Sequence, residues 1–172
     1  MAYFKQVWFC GGGKMLVRRY IHIWHPENIS LGSNLHIFNN CQIATHPNKA
    51  HPHPELRIGD NCEIGEQTHI TCANKIIIGD NLLTGRRCTI TDNSHGDSER
   101  YCLDINPRHR DIKSKGSIHI GNNVWLGDNV VVLPGVSIGD GVIVGANAVI
   151  TKDIPPYSVA VGNPTKVKKT VQ

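Results

Sequence analysis

From Ile118 to Ile154 the apolar positions recur every six residues, as IHIGNN VWLGDN VVVLPG VSIGDG VIVGAN AVITKD. Ile120, Leu126, Val132, Ile138, Val144 and Ile150 occupy one register position, and glycine follows four of them, at Gly121, Gly127, Gly139 and Gly145. Two residues ahead of each stand Ile118, Val124, Val130, Val136, Val142 and Ala148, so each unit carries the period of two that a half-buried strand requires. No helix has a six-residue period, so each hexad reads as a short strand and a turn. Corners such as Gly121-Asn122-Asn123, Gly127-Asp128-Asn129 and Gly139-Asp140-Gly141 permit tight bends and positive φ. A chain built this way must wind as a prism.

The same register runs, more degraded, through Leu31, Ile37 and Ile43, then Ile58, Ile64 and Ile70, then Ile78, Thr84 and Ile90. Three interruptions separate these blocks: a segment at about 46–55, a slip near Asn74-Lys75, and a long excursion at about 93–117. Insertions in a solenoid become loops, often on the binding face. Cys41, Cys62 and Cys88 stand two residues before register positions, where later hexads place valine, and so belong in the core. The pattern predicts one domain: a lead-in or cap over 1–28 with Trp8, Phe9 and Gly11-Gly12-Gly13, coils over 29–154, and a tail over 155–172.

Composition changes this picture little. The repeat accounts for much of the count of 17 glycines among 172 residues. A net charge of +4, with no dense basic stripe interleaved with aromatics, points away from nucleic acid and toward a small anionic ligand. No secretory-type apolar segment or 18-residue apolar run occurs, so a cytoplasmic protein is expected; Lys14, Arg18 and Arg19 offer a weak peripheral contact with the inner membrane face. The six cysteines form no C-x-x-C pair, so reduced thiols are expected.

The segment VWLGDNVVVLPGVSIGDGVIVGANAVITKDIPPYSVAVGNPTKVKK resembles the signature of the hexapeptide-repeat acyltransferases, the galactoside, maltose, nodulation and serine acetyltransferase superfamily. The block CTITDNSHG, followed by a loop and KGSIHIGNNVWLG, is similar to the branch that O-acetylates polysaccharide, lipopolysaccharide or capsule sugars. The resemblance implies an all-β, left-handed parallel β-helix, a three-sided prism of hexapeptide repeats. It also implies acetyl-CoA as co-substrate with no metal, a sugar or nucleotide-sugar acceptor, and a homotrimer with active sites at subunit interfaces.

By the same resemblance His95 is the general base. An imidazole suits the role, because a hydroxyl is a poor nucleophile at neutral pH until its proton is removed. Asp92 is the local candidate to orient the ring, with Glu99 and Asp104 as alternatives from the excursion. For CoA, the matched motif positions place Trp125, Gly127 and Asp128 beside the pantetheine and Gly145 and Ala146 along the slot. Thr151, Lys152, Lys166 and Lys169 would meet the phosphates. Each of these also has a plainer reading, as corner residues, a subunit contact for Trp125, or a solvated tail for the lysines. The galactoside-type members carry an acceptor-binding Asn where Gly65 stands here, so the resemblance does not carry their acceptor over to this chain. The two insertions are expected to shape its pocket, with Arg100, Arg108 and Arg110 available to an acidic sugar.

Three rival readings remain at this stage. An amine acceptor would make the protein a sugar N-acetyltransferase. The same fold carries zinc carbonic anhydrases, although His46 and His51, the pair five apart, lie in an insertion, and the other histidines outside His95 read as bland. A non-catalytic scaffold would erode the CoA-end motif, which is intact.

Overall fold

The computed structural model describes residues 16–171, together with the backbone of Trp8–Phe9. Three parallel sheets form the sides of a prism. The first face stacks Trp8–Phe9, Ile29–Leu31, Glu55–Ile58, Lys75–Ile78, Ile118–Ile120 and Ser137–Ile138. The second stacks Leu16–Val17, His36–Ile37, Glu63–Ile64, Leu83–Thr84, Trp125–Leu126, Ile143–Val144 and Ser158–Val161. The third stacks His22–Trp24, Gln42–Thr45, His69–Cys72, Thr89–Thr91, Val131–Val132 and Val149–Ile150. Successive coils pair position for position: Ile58, Ile78 and Ile120 are partners on the first face, and Ile43, Ile70 and Ile90 on the third.

The register positions point inward, and all fifteen from Leu31 to Ile150 are 3% exposed or less. Cys41, Cys62, Cys72 and Cys88 are buried in the same core, and burial pushes the Cys62 and Cys88 thiols up to about 11. Thiols so disfavoured as thiolates act as small apolar packers. The polar register residue, Thr84, is satisfied by donation from the Gly65 N–H at 2.8 Å.

The corners divide two jobs that the sequence reading had joined. Positive φ falls chiefly on the third corner residue, at Asn123, Asn129 and Asn147, whereas the first-position glycines are needed for close approach. A Cβ on Gly59 would stand 2.6 Å from the carbonyl carbon of Gly79 in the next coil. Between the first and second faces, corner side chains cap the coil above: Asp60 accepts from the Ser33 N–H at 2.6 Å and Asp80 from the Asp60 N–H at 2.7 Å. Asn122 and Asp140 continue the ladder.

Both ends differ from the expected lead-in and tail. Trp8–Phe9, Leu16–Val17 and His22–Trp24 pair in register with the coil at residues 29–45, so the described part of 1–28 winds as a further turn of the prism. Gly11-Gly12-Gly13 and Lys14 lie outside the described residues. At the other end Ser158–Val161 extends the second face, and Lys166–Thr170 folds back antiparallel upon it. Among the described residues no helix is long and apolar enough to cross a membrane.

Replacing Gly59 by Ala should force a Cβ against the backbone of the adjoining coil. The expected loss is about 1–3 kcal/mol, the usual range for overpacking, read as a lower urea midpoint at unchanged m-value.

Candidate functional site

All three interruptions open on one corner, between the third and first faces. Residues 46–54 leave it after Gln42–Thr45, the bend at 73–74 after His69–Cys72, and the excursion after Thr89–Thr91. The excursion is an ordered arm. Asn93–His95 pairs antiparallel with Ile112–Ser114, His95 lying opposite Ile112, and the tip holds a short helix, Arg100–Leu103, and a 3-10 turn, Pro107–His109.

The arm is held together by its own charges. Lys113 Nζ meets Asp97 Oδ2 at 2.6 Å and Tyr101 donates its hydroxyl to the same oxygen at 3.1 Å. The Lys113 ammonium holds the Asp97 carboxyl down at about 2. Arg110 donates to the carbonyls of Ile105 and Leu103 at 2.9 and 3.1 Å, and Arg100 pairs with Asp104 at 3.2 Å. Arg110 is thus engaged by the arm's own backbone, whereas Arg100 stays exposed beside Asp104.

Asp92 also requires correction. It lies at the root of the arm, two residues beyond the inward-facing Ile90, and its carboxylate is wholly buried. It accepts from the N–H groups of Ala73 at 2.7 Å, Asn74 at 2.8 Å and Lys75 at 2.9 Å, and from Asn93 Nδ2 at 3.0 Å. These donors belong to the corner where the sequence slips, whose backbone has left the regular coil-to-coil pairing. Asp92 replaces that pairing and does not orient His95. Among the described residues the His95 ring has no hydrogen-bond partner, and Asp104, an alternative orienter, is taken by Arg100.

His95 is exposed, on the strand that leaves the corner. Beside it the loop and the arm enclose a groove of about 330 Å³, lined by Pro47, Asn48, Lys49 and Ala50 on one side and Asp111, Ile112 and Lys113 on the other. The two insertions thus line one groove between them. Asn48 fixes the loop by donating to the carbonyl of Ala73 at 2.8 Å and accepting from the N–H of His51 at 3.0 Å.

His46 at this corner and His69 on the third face before it are read from the sequence as bland. Both are half-buried, and burial lowers the pKa of each. His46 also lies within electrostatic reach of the imidazoles of His25, His69 and His95 and of the Asp92 carboxylate. The signal available was register: His46 follows the inward Thr45, and His69 precedes the inward Ile70. Among the described residues no three His, Cys, Asp or Glu side chains converge as a metal cradle would.

The positions proposed for CoA do not form one cluster within the chain. Gly127, Asp128, Gly145 and Ala146 share the corner between the second and third faces, with Trp125 half exposed just before it on the second face. Lys166 and Lys169 lie on the exposed strand that pairs antiparallel with Ser158–Val161 at the edge of that sheet. Thr151 and Lys152 stand on the far side of the third face, on the corner that carries the arm. The two corners are about five residues apart, roughly 15 Å at strand rise. Asp128 is engaged internally, accepting from the N–H of Arg86 at 2.9 Å, and that N–H holds its carboxyl below the usual range. Gly127 has a packing reason of its own, since a Cβ there would stand 2.7 Å from the nitrogen of Ala146.

A three-sided parallel coil with small residues at its corners and loops at one edge defines a class, the hexapeptide β-helices. Residues 117–152 match the bacterial transferase hexapeptide family (six repeats). WbbJ of Escherichia coli (strain K12), named as a lipopolysaccharide biosynthesis O-acetyl transferase, is 39% identical over 114 residues, which cover 64% of this chain and 58% of that protein. A Staphylococcus aureus (strain COL) protein named as an acetyltransferase is 51% identical over 69 residues, 40% of this chain and 35% of that one. The chain thus matches only about a third to three fifths of these relatives' lengths. Among solved structures, a maltose O-acetyltransferase from Clostridium difficile 630 superposes with TM-score 0.61 at 28% identity, covering 95% of this chain and 71% of that one. The N-acyltransferase AntD from Bacillus cereus, in complex with dTDP and 3-hydroxybutyryl-CoA, superposes with TM-score 0.73 at 21% identity over 95% of this chain and 84% of that one. The fold is accordingly the left-handed parallel β-helix of the acyltransferases.

Two outcomes follow from the corner. Asp92→Ala leaves three backbone donors without an acceptor, each costing about 1–3 kcal/mol when buried, so a marked drop in melting temperature is expected by circular dichroism. His46 and His69 have folded pKa values below the unfolded value near 6.5. The unfolded chain then binds more protons, so their contribution is complete above pH 6.5 and is lost as pH falls below it. Urea unfolding at pH 7.5 and 5.5 should show that loss, and a His46→Asn/His69→Asn double variant should show less of it.

Proposed function

We propose that the protein transfers an acetyl group from acetyl-CoA to a hydroxyl of a sugar or polysaccharide precursor, with His95 as general base. The observation that carries this reading is the placement of an exposed histidine beside the groove between the two insertions, on a fold whose CoA-end repeats are intact. The similarity to WbbJ supports oxygen as the acceptor atom. In the reaction the imidazole of His95 removes the hydroxyl proton as the oxygen attacks the thioester carbonyl carbon. The tetrahedral intermediate then collapses, the carbon–sulfur bond breaks, and the departing thiolate takes the proton back from the imidazolium. The oxyanion that forms needs a hydrogen-bond donor, a role that backbone N–H groups commonly fill.

The same geometry favours an assembly. His95 stands on one corner, while Gly127, Ala146 and Trp125 stand on or beside another, so one chain does not join base and thioester. A second copy whose pantetheine corner faces the arm would, and a closed ring of three copies repeats that contact with no surface left over. We therefore favour a homotrimer whose active sites lie between subunits. This reading carries with it a cytoplasmic location, where acetyl-CoA would be available.

The test is free-thiol release from acetyl-CoA with a panel of sugars and nucleotide sugars. Acceptor-dependent release should fall about 10²- to 10⁴-fold in His95→Ala, the range of a general base, and the product should be cleaved by mild alkali, as an ester is and an amide is not. Equal rates in the two proteins would remove His95 as base.

A further inference from the structure

We propose that Arg86 and Arg87 form an anion subsite on the corner between the second and third faces, which takes a carboxylate or phosphate carried by the acceptor. This rests on the transferase reading and the ring of copies above, and adds to them that the acceptor is acidic.

On this corner the residue that turns through positive φ is Asn40, Asn129 or Asn147 in three coils, with Tyr20, Gln67 and Arg87 in the others, Arg87 at φ 56°. The left-handed region is one where Asn is enriched and a longer side chain is uncommon. Arg87 does the work of the Asn it replaces. Its Nε donates to Asn129 Oδ1 at 2.8 Å, as Asn129 Nδ2 donates to Asn147 Oδ1 at 3.0 Å one coil on. That bond orients the guanidinium, and among the described residues its two terminal nitrogens make no hydrogen bond. The residue therefore brings a cation and a pair of donors that the ladder does not use.

Arg86 stands beside it, its side chain 59% exposed and its Nη2 3.4 Å from Asp128 Oδ2. Glu66, in the coil before, accepts from Asn39 Nδ2 at 3.1 Å, on the side away from the arginines. The two guanidiniums thus share one carboxylate and keep a net positive charge. Planar forks held at one end suit a carboxylate or phosphate, whose paired oxygens accept from paired N–H groups.

The place of the pair in the fold says which ligand carries the anion. It lies one coil before Gly127-Asp128 and two before Gly145-Ala146, at about 4.8 Å per coil, at the opposite end of the corner from Lys166 and Lys169. With the CoA phosphates toward those lysines, the arginines stand at the thioester end, where the acceptor must enter. They also belong to the coil of the arm, since Thr89–Thr91 runs from Arg87 toward Asp92. A ring of copies whose threefold axis runs along the prism keeps each coil at its own height. It brings the arginines of one copy level with the root of the next copy's arm.

The test titrates the full chain with glucose, glucuronate, glucose 1-phosphate and coenzyme A by ligand-observed NMR. Glucuronate or glucose 1-phosphate should bind about tenfold or more tightly than glucose, and which of them does so identifies the anion as carboxylate or phosphate. Arg87→Asn puts the amide of the neighbouring coils into the ladder, so it should melt as wild type yet lose that preference. Arg86→Gln keeps the backbone N–H that meets Asp128 and should weaken the preference as well. No preference for either charged sugar, or one unchanged in both variants, overturns the subsite. Loss of coenzyme A affinity in place of the preference overturns it by giving the pair to the CoA phosphates. A lower mass by light scattering in Arg87→Asn overturns it by giving the pair to a subunit contact. The thiol-release assay keeps the two readings apart. Transfer with equal KM for charged and uncharged acceptors sinks the subsite alone, whereas Arg87-dependent anion binding without acceptor-dependent release sinks the transferase reading.

Discussion

Every feature of the molecule depends on one constraint: each coil must satisfy its backbone through the coil above and the coil below, at the same register position. Parallel strands about 4.8 Å apart leave no space between successive corners for a Cβ, which explains glycine at Gly59 and Gly127 more directly than conformational freedom does. The same stacking repeats identical environments along the axis. Aliphatic side chains meet their own kind inside, and Asp60, Asp80, Asn122 and Asp140 cap one another's backbones outside. A parallel sheet closed on itself in this way has exposed edges only at its two ends.

Where the repeat breaks, the constraint has to be met by other means, and Asp92 shows how. The corner at 73–75 carries backbone donors that the regular coil would have paired, and one buried carboxylate takes three of them. A buried charge is costly unless it is fully hydrogen-bonded, and here the cost is offset by donors that would otherwise stand unsatisfied. The same residue begins the arm, so the departure of the His95 strand from the prism is tied to the backbone of the preceding coil.

The hexad register was legible because period six leaves a unique arithmetic, and the buried positions from Leu31 to Ile150 lie where that arithmetic puts them. The first coil was not, since Trp8–Phe9, Leu16–Val17 and His22–Trp24 are spaced too unevenly to show a period and are recognised only by their pairing with the next coil. Asp92 was misread for a related reason. A carboxylate three residues before a histidine looks like its partner in sequence, but a residue two places beyond an inward isoleucine faces the core, and its depth decides its role. Arg110 was illegible in the same way, a charge in an insertion on paper that meets two backbone carbonyls in space.

The histidine corner joins these threads to the proposed chemistry. A general base passes through a cationic state, so the charges around it matter at the moment of transfer. His46 and His69 are kept neutral near pH 7 by their burial, and they add no fixed positive charge beside the His95 strand. Asp92 contributes a negative charge nearby, one already committed to backbone N–H groups and so held in place whatever the proton does. The prism thus supplies a rigid electrostatic background, and the arm carries the exposed imidazole that the proposed reaction would use. Preorganised surroundings with a solvent-reachable base require no movement of the core during transfer. On the proposed reading, a fold with so little freedom carries its chemistry at the corner where its repeat is interrupted.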